Sequence, residues 1–417
     1  MEQLKIKVPF GAQVDYFVKW AVISGVTGIL GGAVGGVFGH GIRLASAAFR
    51  RHGWLLYLLP VSGLIIVFLY QVTKQGKNKG TNMVLEAISS NQKMSMATGP
   101  LIFAGTVLTH LTGGSAGREG AALQIGGSLG TLVGKVLRLD ERDGKVALMC
   151  GMSACFGALF GTPLAAGIFS MEVVSIGIMY YAALVPCLFA SFIGAGVAGL
   201  MGMSAEHFTI AEIPEFGFVP ALLIVCLGVL CAVLSIAFCL ALHQAEHLYR
   251  RFFKNPYLRI LAGALLLIVL TLLTGSRIYN GSSVSLIEEA LEGHVRYEAF
   301  LLKLLFTAVT LGAGYKGGEI VPTMCVGAAF GCVAGTMFGF SPSLCAACGM
   351  AALFAGVTNC PISSMFIACE MCGFEAMPYF AIAIAVSFTL SGYYGLYGSQ
   401  KFVYSKTKTE FINRKAN

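Results

Sequence analysis

Charge is scarce in this sequence: Lys, Arg, Asp and Glu together make up 12% of its 417 residues, about half the ~25% of an average soluble domain. Hydrophobic residues make up 56% and the mean hydropathy is +0.78, so too little polar surface remains to solvate a globule of this length. That excludes a pair or trio of soluble domains and leaves an integral membrane protein. Other features are missing as well. No Pro/Ser-rich linker interrupts the sequence, and no terminal soluble domain is expected, since only a short polar stretch follows Phe402. No Lys/Arg run interleaves with aromatics as a nucleic-acid face would, so nucleic acid is not expected as a partner. Residues 1–13 hold two lysines but no apolar core ending in a small-residue cleavage site; they are expected to be a cytoplasmic segment and not a signal peptide. The 13 cysteines are scattered through apolar stretches, where Cys acts as a small hydrophobe, and they imply no disulfide framework.

The charge that is present sums to +8 and is clustered. Lys135, Arg138, Arg142 and Lys145 form one group, Arg250, Arg251, Lys254 and Arg259 another, and Lys401 to Lys415 a third. Basic groups beside apolar stretches read as cytoplasmic flanks, which gives a multi-pass cell-membrane protein with both termini cytoplasmic. Helices are expected near 17–45, 54–73, 98–112, 119–136, 143–158, 163–174, 176–201, 218–248, 257–274, 298–315, 320–339, 342–357, 361–372 and 374–392. A straight span needs about 20 apolar residues, and several of these are much shorter. Their breaks fall at Gly113–Gly120, Gly161–Pro163, Gly317–Pro322 and Asn359–Pro361. Half-length helices are tolerated inside a bilayer only where their free backbone ends face protein or a water-lined site. That is the pattern of transporters and channels, and it marks where the site lies.

The chain also repeats itself. Cys150 to Glu172 and Cys348 to Glu370 share seven identities in 23 positions without a gap, at a shift of 198. Just upstream, 118–130 lies over 319–331 at a shift of 201. Two adjacent windows with nearly equal offsets imply a duplicated membrane domain with its site at the interface of the halves: 14–201 as the first half, 202–405 as the second, and 406–417 as a cytoplasmic tail.

The leading motif is Gly113-Gly114-Ser115-Ala116-Gly117-Arg118-Glu119-Gly120, which opens an apolar helix. Glycine lets backbone approach a ligand closely, and the first amides of the helix have no internal partners and carry the positive end of its dipole. Together they make an anion site. Arg118 adds charge, and Glu119 sits where the anion would sit; its carboxylate can fill the site, or leave it as a neutral acid carrying a proton. Intramembrane charges are costly enough to suggest function, although an Arg118–Glu119 pair that merely staples the loop is the plain alternative. A nucleotide-phosphate loop is disfavoured, because no P-loop lysine is present. Gly80-Thr81-Asn82-Met83 follows a basic loop and can aim amides and a hydroxyl at an anion. Gly317-Gly318-Glu319-Ile320-Val321-Pro322 opens the matching helix of the second half, and Tyr404 offers a phenolic donor. Each of these three alone reads more readily as a turn, a cap or a packing residue than as an anion ligand. His243-Gln244-Ala245-Glu246-His247 matches a metalloprotease pattern and Cys345-x-x-Cys348 with Cys369-x-x-Cys372 a zinc-ribbon spacing, but the first lies at a charged helix end and the second inside apolar helices. No metal, cofactor or enzyme activity is expected.

GSAGREGAALQIGG, GGEIVPTMCVGAAFG and GTPLAAGIFSMEV resemble the CLC family of chloride channels and anion/proton antiporters, and the resemblance covers nearly the whole chain. It implies an all-α polytopic membrane protein built as an inverted repeat of broken, tilted helices around a dehydrated halide, and a homodimer with a separate pore in each subunit. It makes Glu119 the gating, proton-carrying glutamate, with Gly117, Arg118 and Gly120 around it. Gly80, Thr81 and Asn82 become the inner anion position with Thr81 as its hydroxyl, Ile320 and Val321 the pore-facing amides, and Tyr404 the central tyrosine. The chain departs from proton-coupled chloride members at Val173, which stands where they carry an inner glutamate, and Glu172 beside it reads as structural. Asn82 and Glu319 look like the fluoride/proton antiporter branch, whereas Thr81 and Val321 pull toward chloride. The expected function is halide transport in exchange for protons, fluoride narrowly ahead of chloride. The alternative is a passive or voltage-gated chloride channel, or a chloride/proton antiporter.

Overall fold

The computed structural model describes residues 10–76, 78–90 and 94–416. Its described helices fall into two runs of eight. The first is α1 (Phe10–Arg51), α2 (Leu59–Val72), α3 (Thr81–Ser89), α4 (Thr98–Leu111), α5 (Glu119–Val136), α6 (Glu141–Phe160), α7 (Pro163–Glu172) and α8 (Leu184–Leu200). The second is α9 (Phe218–Phe252), α10 (Pro256–Thr274), α11 (Val284–Leu291), α12 (Ala299–Ala313), α13 (Ile320–Phe338), α14 (Pro342–Thr358), α15 (Pro361–Cys372) and α16 (Met377–Leu390). Seven helical segments are long and apolar enough to cross a bilayer. Five further apolar helices have only 10–17 residues, as the Gly/Pro breaks require.

Local chemistry sets the boundaries. Asp140 and Ser341 accept from amides in the first turns of α6 and α14, and Pro163, Pro342 and Pro361 stand in first turns where no amide partner is lost. Gly161, Gly339 and Asn359 close α6, α13 and α14 in the left-handed conformation. Two helices were not anticipated, α3 and α11. They have 9 and 8 residues and carry polar side chains among the apolar ones, so no long apolar run betrays them. The helix expected over 176–201 starts only at Leu184, after a short strand and a 3-10 turn.

Within each half, two helices cross closely at equivalent glycines. A Cβ on Gly126 or Gly151 would lie 2.2 or 2.1 Å from the other's carbonyl oxygen, where α5 crosses α6; on Gly327 or Gly349 it would lie 2.4 Å from the other's, where α13 crosses α14. Such pairs allow helices to approach without a hydrophobic driving force between them. The repeat is also inverted. Gly117 and Gly318, equivalent residues at the 201 shift, form an antiparallel bridge with N–H···O distances of 2.7 and 2.8 Å. Equivalent segments that meet antiparallel are related by a two-fold axis across the chain direction, which turns one half upside down against the other. Ser175–Ile176 (β1), Lys401–Tyr404 (β2) and Phe411–Lys415 (β3) add a three-stranded sheet in the order β1-β2-β3, with β1 parallel to β2 and β3 antiparallel to it. The segment expected as a trailing tail thus contains a strand that joins the first half through β2.

Candidate functional site

The Gly117–Gly318 bridge brings the starts of α5 and α13 to the same place, with their unpaired first amides and positive dipole ends. Glu119 opens α5 and is fully buried. Its Oε2 accepts from the amide of Arg118 at 2.9 Å, while Oε1 has no hydrogen-bond partner and lies 3.4 Å from Arg118 Nε. The amides of Arg118, Glu119 and Val321 lie against this carboxylate, so it rests on the ends of both helices. The Arg118 guanidinium also pairs through Nη2 with Glu206 in the connection between the halves. The loop is therefore stapled to Glu206 as much as to Glu119. Glycine at 117 leaves the carboxylate its place: a Cβ there would lie 2.5 Å from Glu119 Oε2 and would displace it, and would lie 3.1 Å from Gly318 O.

The expected Thr81, together with Gly318 and Glu319, converges on Gly120. A Cβ there would lie 3.2 Å from Thr81 Oγ1, 3.2 Å from Glu319 Oε2 and 3.0 Å from Gly318 Cα. Glu319 Oε2 is buried with no hydrogen-bond partner. It lies one residue before α13, as Arg118 lies one residue before α5. Gly80, at φ +63, turns the chain into α3 and presents Thr81, which is buried. Asn82 Oδ1 accepts from the amide of Ser399 at 2.9 Å, which leaves its NH2 as the end free to donate. Ile320 and Val321 are buried in the first turn of α13. A polar cavity of about 470 Å³ opens onto this cluster and is lined by Gly80, Thr81, Asn82, Gln124 and Glu319 among others.

Tyr404 is not part of the cluster. It is 47% exposed on β2 and packs edge-on against Phe411. The phenol at the site is Tyr397, 1% exposed, whose hydroxyl is buried without a partner and feels the charges of both Glu119 and Glu319. The two tyrosines are seven residues apart in a segment without apolar periodicity, so nothing local separated them. Gln124 was also missed. Its Nε2 donates to Gly120 O at 3.1 Å and its Oε1 is buried and unpaired. Lys303 was missed too, although a single lysine inside an apolar helix was the available signal. It is fully buried on α12 and donates to Ser115 Oγ (2.9 Å), Gly281 O (2.9 Å) and Tyr279 O (3.3 Å). Among the described residues no carboxylate lies within ion-pair distance of it.

Val173 follows α7 as its cap, and Glu172, the last residue of that helix, is spent on helix α15, where Ile362 N, Ser363 N and Ser363 Oγ donate to it. His243 and His247 lie within α9 and the paired cysteines within α14 and α15.

Comparison with known proteins places this geometry. The family model described as voltage gated chloride channel matches residues 62–392. A chloride/fluoride channel protein of Pseudomonas syringae pv. tomato is 32% identical over 398 residues, covering 94% of this chain and 88% of the relative. The crystal structure of a CLC-type fluoride/proton antiporter superposes with a TM-score of 0.89 at 32% identity, covering 92% of this chain and 98% of that one. A slow cyanobacterial Cl−/H+ antiporter shares the fold, with a TM-score of 0.76 at 18% identity over 89% of this chain and 94% of its own.

Proposed function

Because this chain belongs to the voltage gated chloride channel family, whose shared work is membrane anion transport, we propose that it exchanges halide for protons, with fluoride preferred over chloride. It acts as a transporter and not as an enzyme. The observation that carries this reading is the pair of buried carboxylates Glu119 and Glu319 on either side of the Gly117–Gly318 bridge, each with an oxygen that has no hydrogen-bond partner. An ionised Glu119 competes with an anion for the same amides of Arg118, Glu119 and Val321. A protonated Glu119 no longer holds them strongly and can swing away, so each exchange of anion for carboxylate carries a proton. Glu319 accepts when ionised and donates when neutral, so it can hold the proton that accompanies a halide at Thr81 and Asn82. Glu172 is already committed to the amides of α15, which leaves Glu119 and Glu319 as the acids of the exchange.

Fluoride is supported by the donors of Thr81, Asn82 and Gln124, which line one cavity, and by the likeness to a CLC-type fluoride/proton antiporter and to the Pseudomonas chloride/fluoride channel protein. Chloride remains the second reading, favoured by Val321, which offers no side-chain hydroxyl beside its amide. The resemblance also supports a homodimer in the cell membrane, and the basic clusters support cytoplasmic termini. The test is purified protein in liposomes, with fluoride, chloride and pH electrodes in parallel. Fluoride efflux coupled to proton uptake is expected. Equal or faster chloride efflux overturns the ion assignment, and halide flux that moves no protons overturns the exchange.

A further inference from the structure

The cavity that leads to Gly80, Thr81 and Asn82 holds more positive charge than its acids neutralise. Among the described residues, Lys79, Arg250, Arg259, Lys316 and Lys415 line it against Glu86, Glu246 and Glu319. Two of the cations are paired: Lys79 Nζ reaches Glu86 at 2.8 Å and Arg250 Nη2 reaches Glu246 at 2.6 Å. Arg259 and Lys316 have no carboxylate within ion-pair distance among the described residues.

Both are held in place. The Lys316 ammonium lies 4.4 Å from the centre of the Tyr70 ring, a contact that orients a cation without neutralising it. Its amide donates to Thr109 Oγ1 at 3.3 Å. Its stem fills a notch left by Gly105, where a Cβ would come within 3.0 Å of Lys316 Cβ and Cγ. Arg259 comes from another element, α10, and packs against the same loop: its Nε and Nη2 lie 3.9 Å from where a Cβ of Gly314 would be. Its Nε is buried with no hydrogen-bond partner. Two cations from different elements, aimed into one cleft and partly withdrawn from water, repel each other, and Glu246, which faces both, is already paired with Arg250, so an incoming anion would join them. The cleft walls exclude solvent and focus the field of both on that point.

We propose that Lys316 and Arg259 form an anion-capture site that takes a hydrated halide from solution before it passes to the donors at Gly80, Thr81 and Asn82. This rests on the transport reading above. The capture site sets how readily anion is collected and leaves the exchange at Glu119 untouched. Its charge acts over a distance set by ionic strength, which separates it from any role in packing.

The test is the initial rate of fluoride flux in liposomes against fluoride concentration, at low and high potassium gluconate. The variants are Lys316→Met, which keeps the stem in the Gly105 notch, Arg259→Gln and Lys316→Arg. Lys316→Met and Arg259→Gln are expected to raise KM by about five- to tenfold while the maximal rate and the proton-to-fluoride ratio stay within about twofold. Gluconate raises KM in the wild type and has little effect in Lys316→Met, and Lys316→Arg behaves as wild type. An unchanged KM in both neutral variants overturns the capture site. So does a fall in maximal rate at constant KM, or an equal loss in Lys316→Arg. A wild-type protein that moves no halide overturns the transport reading and the capture site with it, whereas wild-type flux with a KM indifferent to these charges overturns the capture site alone.

Discussion

Glu172 and Glu370 each close the open end of the helix that carries the other. Glu172, the last residue of α7, accepts from Ile362 N at 3.1 Å and Ser363 N at 2.8 Å, and Glu370 on α15 accepts from Leu164 N at 3.1 Å and Ala165 N at 2.8 Å. The two residues are equivalents at the 198 shift, so the exchange is the internal symmetry expressed in side chains. The first amides of a helix have no partner of their own, and here a carboxylate from the other half supplies one.

Removing either carboxylate strands those amides. Glu172→Ala and Glu370→Ala are expected to destabilise the protein by about 1–3 kcal/mol for each amide left unpaired. The check is thermal or denaturant unfolding in detergent, followed by size-exclusion recovery. Glu172→Gln, which keeps one acceptor oxygen, should lose less stability and keep wild-type proton coupling. Loss of coupling at normal stability would make Glu172 a proton carrier instead of a cap.

Glu119 carries the opposite expectation. Glu119→Gln should fold as the wild type does, because Gln has the same shape and its carbonyl can still accept from the Arg118 amide. It should lose proton movement entirely. Halide flux, if it persists, should run passively down its gradient at a rate indifferent to pH. The measurement is pH-electrode uptake under an imposed halide gradient, and uphill proton movement by this variant would return the role to Glu319.

The architecture was legible because its signals are compositional. Low charge, short apolar runs and Gly/Pro breaks forecast broken membrane helices, and the GSAGREG and GGEIVP segments forecast which helix ends face the site. What escaped depended on tertiary placement. α3 and α11 are stabilised by burying one face each and carry no long apolar run. Tyr397 and Tyr404 differ only in how the chain turns after α16, where Leu396 N bonds back to Val357 O and carries the following tyrosine inward. Tyr404, on the strand beyond, faces out. Gln124 lies one helical turn after Gly120, but an isolated glutamine in an apolar helix is as often a packing residue as a ligand.

Lys303 supplies a third expectation. The Lys303 side chain is buried among neutral oxygens, with no carboxylate in ion-pair distance among the described residues, and it reaches the Gly113–Gly120 loop through Ser115. Lys303→Met should lower halide flux by about tenfold or more, since each 1.4 kcal/mol of lost electrostatic attraction is a factor of ten. Lys303→Arg should retain more flux than Lys303→Met if charge is the cause. Equal losses in both would assign Lys303 to loop packing.

The choice of ion turns on donors at one small place. Fluoride is smaller and more strongly hydrated than chloride, so a site that strips its water must return more hydrogen bonds in less space. Thr81 and Gln124 crowd Gly120, and Asn82 is turned by Ser399 so that its NH2 is the free end. Each donor left without an acceptor costs roughly 1–3 kcal/mol, which makes a single donor worth about tenfold or more in selectivity. Asn82→Ala is therefore expected to reduce the fluoride-to-chloride flux ratio by about tenfold. Val321→Thr should raise it, because a hydroxyl is added in the first turn of α13 at nearly the same volume. The two substitutions lie on opposite halves of the repeat, and their effects should add unless they meet at one ion. Parallel fluoride and chloride electrodes on one liposome preparation read all three variants, the double included. If Asn82→Ala leaves the ratio unchanged, its amide is a tether to Ser399 and the preference comes from Thr81 and the backbone alone. A double variant whose ratio departs clearly from the combined single effects would place Asn82 and Val321 around the same bound ion.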